Sequence, residues 1–331
     1  MTQCDTFNRP IDYLRISITD RCNLRCLYCM PEEGVHLQNH EDILRYEEII
    51  TIVRAAANLG VRSIRLTGGE PLARREVVDL VAALAQIPGI DDLSMTTNGT
   101  LLAQNAEELS TAGLNRVNIS LDTLRPERFT LITRRGNLED ALLGIQAAYR
   151  YHLTPVKINT VVMRGINDDE VVDLALKTIN EGWNLRFIEW MPVGDSAAGD
   201  NKWESQLVTE DEIRSRIEKE LGTLEVDNIL KGAGPARTYR LPGAAGTLGF
   251  ISAISHHFCA QCNRLRLTAD GQLRPCLLAD NEIDLRTPLR NGAGIQEVEA
   301  LLQQAISVKP RSHHLDQAER VKNRAMSQIG G

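Results

Sequence analysis

Three cysteines fall within eight residues, Cys22-Asn-Leu-Arg-Cys26-Leu-Tyr-Cys29, directly after an alternating run from Tyr13 to Thr19. Thiolates grouped this closely suit an iron–sulfur cluster. A four-iron cube has four corners, so three thiolates leave one iron free to bind a small molecule and react with it. The i, i+4, i+7 spacing would also suit one face of a buried helix. The neighbours oppose that, because Asp20, Arg21, Asn23 and Arg25 are polar and Pro31 and Gly34 break a helix. Structural zinc is a rival only with a fourth ligand, for which His36 and His40 are the nearest candidates.

A second set repeats the theme. Cys259-Ala-Gln-Cys262 is followed, after thirteen intervening residues, by Cys276, with Asn263-Arg264-Leu265-Arg266-Leu267 between them. Completed by His256 or His257, this would be a zinc ribbon. As a second cluster with an open iron, flanked by two arginines, it would face a phosphorylated ligand, since guanidinium forks match phosphate oxygens. Cys4 is the one cysteine outside these sets, and it is expected on a mobile N-terminus.

A repeating chain must position these groups. The pattern predicts a helix over 46–57, a strand at 63–67, a helix from 77 to 84 and a strand at 93–97. A helix around 103–112, a strand at 116–121, helices within 126–151, a strand at 156–162, a helix to 179 and a strand at 185–191 follow. With the first strand, this makes six βα units in strict alternation, which predicts a parallel sheet with right-handed crossovers. In a parallel barrel the C-terminal strand ends build the site. Six units are too few for a standard eight-stranded barrel, so the expected fold is α/β, an open partial (β/α)6 TIM-like barrel. A doubly wound sheet is the alternative, but no Gly-x-Gly-x-x-Gly follows the first strand. After Pro192 the pattern changes to a loop at 195–201, a charged helix near 210–221, short strands at 237–241 and 246–252, and a last helix near 295–306. This is read as a β-rich C-terminal extension that closes the open side. The expected division is 1–192 and 193–331, one cysteine set in each.

The chain has 331 residues, 43% hydrophobic and 24% charged, with a net charge of -7. That is an ordinary globular composition, ample for a buried core. The acidic balance argues against a general nucleic-acid or membrane-surface binder. Yet Arg15, Arg65, Arg74, Arg75, Arg264 and Arg266 fall near strand ends or beside cysteines, which fits a local site for an anion. No apolar run approaches the ~20 residues that span a bilayer, and the first residues lack a basic n-region and an apolar h-region. Six of seven cysteines in two tight groups point to metal binding in a reducing compartment. A cytoplasmic location is therefore expected.

Cys-x3-Cys-x2-Cys after a first strand, with Tyr28 just before the last cysteine, resembles the radical S-adenosylmethionine (SAM) superfamily. Thr67-Gly68-Gly69-Glu70-Pro71 resembles its glycine-rich SAM motif. Two glycines would let a backbone edge approach the methionine moiety, and the Glu70 carboxylate would accept bonds from its amino group. Further motifs are Leu14-Arg15-Ile16-Ser17, Thr96-Thr97-Asn98-Gly99, Ser120-Leu121-Asp122-Thr123, Lys157-Ile158-Asn159, the run from Arg186 to Pro192, and the terminal Gly330-Gly331. Each is short; their order and number make nearly the whole chain similar to the GTP 3',8-cyclases of molybdenum cofactor biosynthesis.

The resemblance implies two [4Fe-4S] clusters, held by Cys22, Cys26 and Cys29 and by Cys259, Cys262 and Cys276. It implies SAM contacts from Tyr28, Gly69, Ser120 and Met191. It implies GTP contacts from Arg15, Arg65, Thr96, Lys157, Arg264, Leu265 and Arg266, and a Gly330-Gly331 tail that reaches into the site and supports catalysis. The implied reaction takes a hydrogen from ribose C3' of GTP with a 5'-deoxyadenosyl radical and joins C3' to guanine C8. No single acid or base is assigned. Implied partners are GTP, a flavodoxin- or ferredoxin-like reductant and a downstream cyclic pyranopterin monophosphate synthase, with no nucleic acid, no membrane and a homodimer allowed. Two other readings stand beside this one. A radical SAM peptide-modifying enzyme with an auxiliary cluster usually carries more C-terminal cysteines than three. A non-enzymatic iron–sulfur or zinc protein would not need six βα units and the glycine-rich motif.

Overall fold

The computed structural model describes residues 2–193, 202–227, 234–313, 321 and 323–330, with the backbone alone at 202 and 203. The loop expected at 195–201 and the terminal Gly331 lie outside the described residues. Six strands, β1 (Tyr13–Ser17), β2 (Ser63–Thr67), β3 (Asp92–Thr97), β4 (Arg116–Ser120), β5 (Lys157–Val162) and β6 (Asn184–Glu189), pair in sequence order, all parallel. Between them run α1 (Tyr46–Asn58), α2 (Val77–Ala85), α3 (Leu102–Thr111), α4 (Pro126–Thr133), α5 (Leu138–Arg150) and α6 (Val171–Asn180).

The strands alternate with a period of two. Leu14, Ile64, Met95, Val117, Ile158 and Leu185 enter the main apolar core between sheet and helices. Their neighbours Arg15, Arg65, Thr96, Asn118, Asn159 and Arg186 face the barrel interior instead. The helices match. In α1 the buried side chains are Ile49, Ile52, Val53, Ala55 and Ala56, a stripe at helical spacing.

The C-terminal part holds α7 (Lys202–Gln206), α8 (Glu210–Leu221), β7 (Glu225–Val226), β8 (Arg237–Arg240), β9 (Thr247–Ile251) and β10 (Arg264–Leu267). It continues with β11 (Gln272–Arg274), β12 (Ile283–Asp284), α9 (Arg286–Arg290) and α10 (Ile295–Ser307). Its strands extend the barrel sheet itself. β10 lies parallel to β1 and β9 parallel to β6, one at each edge of the six-stranded core. Antiparallel β11 and β12 follow on one side, and β8 and β7 on the other. The result is one twelve-stranded sheet with β12 and β7 at its ends. The barrel is therefore open, as expected, with the extension lengthening both of its edges.

This pairing places the two cysteine sets. Cys22 follows the C-terminal end of β1, and Cys262 precedes the N-terminal end of its parallel neighbour β10, with Tyr13 opposite Arg264. The two loops thus join the sheet at opposite ends of adjacent strands. The N-terminus is anchored rather than mobile, contrary to the expectation for Cys4. Cys4 bridges to Pro10, the Gln3 amide donates to the Leu59 carbonyl, and a buried Asp5–Arg9 ion pair closes the turn. Among the described residues no helix is long and apolar enough to cross a membrane.

Candidate active site

The first cysteine loop is held by main-chain bonds to the end of α4. The Arg25 and Leu27 amides donate to Thr133 and Ile132 carbonyls, and the Arg134 guanidinium donates to the Arg25 and Met30 carbonyls. The Asn98 amide nitrogen lies 4.0 Å from the Cys22 sulfur. Gly68 and Gly69 serve this loop. A Cβ on Gly69 would lie 2.3 Å from the Arg21 carbonyl oxygen, and one on Gly68 2.6 Å from that of Thr19. The backbone these glycines admit is thus the chain's own segment 19–21, leading into Cys22.

Glu70 also differs from its expected role. Its carboxylate is buried and accepts from the Leu72 amide, the Thr97 hydroxyl and the Asn98 amide. It ties the ends of β2 and β3 together and does not line the cavity. Burial pushes the carboxyl up to about 7, against those three donated bonds.

The barrel interior encloses a cavity of about 210 Å³. Cys22, Cys26 and Cys29 form part of its wall. A smaller adjoining cavity, about 70 Å³, is lined by Cys259, Cys262 and Cys276. Met191, Phe258, Arg264, Arg266 and Leu277 border both. Burial pushes the Cys22 thiol up to about 11 and raises Cys26 and Cys29 as well. Binding as thiolates to a metal centre removes that cost of ionisation. Among the described residues no three Cys, His, Asp or Glu side chains are arranged to share one ion. His36 and His40 are exposed and line neither cavity, and His256 pairs with Asp211 on the surface, whereas His257 lines the smaller cavity with the second cysteine set, its ring 5.5 Å from that of His313.

Between the thiols the interior is cationic. Burial pushes Arg15 down to about 10 and Arg186 to about 9, and neighbouring guanidinium groups push each further the same way. Several polar atoms facing this space have no hydrogen-bond partner among the described residues: the Tyr13 hydroxyl, the Thr96 hydroxyl, both ends of the Asn118 amide, the Asn159 amide oxygen and Arg264 Nε. Buried groups left like this are rare and mark where a polar ligand completes the bonding. Crowded arginines call for an anion.

The tail enters the same space. The Gly330 carbonyl accepts from Arg15 at 2.8 Å, from the Thr67 hydroxyl at 3.2 Å and from Arg266 at 3.4 Å. Gly330 has φ +81°, a conformation that favours glycine. Met326 and Ile329 anchor the tail in an apolar cluster that also touches Cys29, Met191 and Leu277.

The predicted site residues are thus brought together with two exceptions. Tyr28, Gly69, Ser120, Met191, Arg15, Arg65, Thr96, Arg264 and Arg266 all line the main cavity. Lys157 is buried in the barrel but does not border the cavity. Leu265 points away, into the helix-facing core opposite Leu14, so its segment presents two arginines and no leucine. Three residues were given no role in the sequence, although two of them, Asp122 and Arg186, lie in motifs named there. Arg186 and Tyr13 follow from strand alternation, since Leu185, Phe187 and Leu14 face outward. Asp122 accepts the Tyr28 hydroxyl at 2.7 Å and the Val161 amide, and burial pushes it up to about 6. No local signal distinguished it.

Comparison with known proteins follows the same division. Residues 16–177 match the radical SAM superfamily, and residues 183–315 match the family described as Molybdenum Cofactor Synthesis C. A GTP 3',8-cyclase from Pelotomaculum thermopropionicum is 55% identical over 328 residues, 99% of each chain. One from Moorella thermoacetica is 54% identical over 327 residues, again 99% of each chain. Among solved structures, Streptococcus suis SuiB bound to S-adenosylmethionine shares the fold, with a TM-score of 0.56 and 15% identity over 89% of this chain and 69% of that one.

Proposed function

The chain belongs to the GTP 3',8-cyclase family, and on that premise we propose that its cavity holds GTP between two four-iron clusters, with SAM on the first. It is a radical SAM enzyme of molybdenum cofactor biosynthesis that uses SAM and an iron–sulfur cluster to cyclise GTP. When bound, these groups would supply a 5'-deoxyadenosyl radical able to take the ribose C3' hydrogen, and joining C3' to guanine C8 would then take up one electron and one proton.

The chain's own residues bind, orient and shield. Cys22, Cys26 and Cys29 hold the first cluster, and Tyr28, Gly69, Ser120 and Met191 border SAM. The Tyr28 hydroxyl is committed to Asp122, so its ring and backbone face the cofactor. Arg15, Arg65, Arg186, Arg264 and Arg266 bind the triphosphate, Lys157 adds charge from outside the lining, and Thr96 turns its hydroxyl to the nucleotide. Tyr13, Asn118 and Asn159 extend the same set. Cys259, Cys262 and Cys276 hold the second cluster, which orients guanine. The tail ending in Gly330 and Gly331 covers the reacting centre and keeps water from it. In this reading residues 1–192 generate the radical and supply most of the nucleotide contacts, and 193–331 add Arg264, Arg266, the second cluster and the tail. A flavodoxin- or ferredoxin-like protein supplies electrons in the cytoplasm, and a cyclic pyranopterin monophosphate synthase takes the product. The active species is a monomer or a homodimer.

One observation carries this reading: polar atoms without a partner among the described residues, together with arginines, line one cavity that has the first thiol set in its wall and adjoins a smaller cavity lined by the second. Anaerobic reconstitution tests it. About eight irons per chain are expected; stoichiometric zinc without sulfide would overturn it. With SAM and a reductant, 5'-deoxyadenosine should form only when GTP is added, and Cys276→Ala should abolish the cyclised product while leaving the first cluster in place. Full product formation by that variant would remove the second cluster from the reaction.

A further inference from the structure

Lys309 lies just past the end of α10 and is 3% exposed. Its ammonium donates to the carbonyl oxygens of Arg264 at 2.7 Å and Pro275 at 2.6 Å. The first of these is two residues after Cys262 and the second immediately precedes Cys276. One side chain thus fastens the strand leaving the Cys259–Cys262 turn to the approach to Cys276. It borders the smaller cavity with all three cysteines.

The charge of Lys309 is unusual for its depth. A buried ammonium ordinarily needs a carboxylate. Among the described residues that line the smaller cavity there is no Asp or Glu, and the acidic groups that share it with Lys309 are the three cysteine thiols. Arg9 offers a contrast within the same loop. It donates to the Cys259 carbonyl at 2.7 Å and the Pro310 carbonyl at 2.7 Å, but is neutralised by Asp5. Arg9 therefore braces the turn with little net charge, whereas Lys309 brings a positive charge to a cavity whose acidic groups, among the described residues, are the three cysteine thiols. A cluster held by thiolates gains negative charge on reduction, so an adjacent fixed cation stabilises the reduced form more than the oxidised one.

We propose that Lys309 is the counter-ion and positioning residue of the second cluster, tying the loop that holds it and favouring its reduced state. This rests on the reading that Cys259, Cys262 and Cys276 hold a cluster.

Reconstituted full-length holoprotein tests it through Lys309→Met and Lys309→Arg, read by iron content and by redox titration followed with electron paramagnetic resonance. The signal that changes on adding GTP is assigned to the second cluster, and the one that changes on adding SAM to the first. A wild-type chain with about four irons and no GTP-sensitive signal would defeat the two-cluster reading itself, before any variant is compared. Given that signal, Lys309→Arg should keep the wild-type midpoint. Lys309→Met should raise the oxidised-to-reduced ratio of the GTP-sensitive cluster about tenfold at a fixed potential, a midpoint lower by ~59 mV for one electron. The SAM-sensitive signal should not move. Loss of the second cluster's iron in the Met variant, with retention in the Arg variant, would equally support the assignment. A Met variant with full iron and the wild-type midpoint would overturn it, as would equal loss of that iron from both variants.

Discussion

Burial and the neighbouring guanidinium groups of Arg186, Arg116 and Arg65 push the Lys157 ammonium down to about 7. Its ordinary value is higher, so between about pH 7 and 10 the free protein loses this proton while the unfolded chain keeps it. A triphosphate nearby favours the charged form. GTP binding should therefore take up a proton above pH 7, and its affinity should fall with rising pH at a slope approaching tenfold per unit. Calorimetry in buffers of different ionisation enthalpy measures the uptake, and Lys157→Met should flatten the slope; an equal slope in both proteins would sink the assignment. Tyr13 supplies a second case. Burial pushes its phenol up, but Arg65, Arg15 and Arg264 together pull it below its ordinary value, and its hydroxyl has no partner. Tyr13→Phe should weaken GTP binding roughly fivefold, the effect of one hydrogen bond, without lowering the melting temperature. Unchanged affinity would show that the phenol does not meet the nucleotide.

Among the elements, the turn after β2 bears the tightest constraint. Gly68 and Gly69 press against the segment from Thr19 to Arg21, and the Gly69 amide donates to the Thr19 carbonyl at 2.7 Å. Gly69→Ala forces two backbones apart where neither can yield through a side chain. The segment that moves leads into Cys22. The variant should fold, since the core strands are untouched, yet reconstitute with about half the wild-type iron and fail to cleave SAM. A full complement of iron would mean that the loop tolerates the displacement. The turn's glycines were legible as a motif, but their physical reason was not. A close approach can be read from glycine; which backbone approaches cannot. Glu70 shows the same limit, because a carboxylate after a glycine pair looks available to a ligand until its three internal donors are seen.

At the scale of the molecule, the cysteine sets divide the chain but the sheet does not. β10 completes one edge of the six-stranded core and β9 the other. Cutting near residue 192 would expose both β1 and β6 as unpaired edges, a state prone to aggregate. Thermal unfolding should be one cooperative transition by near- and far-ultraviolet circular dichroism alike. Two separable transitions, or a folded fragment of residues 1–192, would show that the halves are independent. Lys309 and Arg9 point the same way, each bonding segments remote in the chain to the second cysteine loop.

Local pattern by itself determined six βα units, the openness of the barrel, both thiol sets and most of the arginines. Period-two alternation, helical stripes and cysteine spacing are all properties of neighbouring residues. Only the tertiary structure decided that β9 and β10 extend opposite edges of one sheet, since strand pairing joins residues far apart in the chain. It alone decided that Lys157 lies outside the cavity lining, that Leu265 faces the core, that Arg186 and Tyr13 line the cavity and that Asp122 backs Tyr28. Depth and facing depend on where every other strand has come to rest. So does the charge of Lys309, which is ordinary as a residue and becomes a counter-ion once the fold has buried it beside the second thiol set.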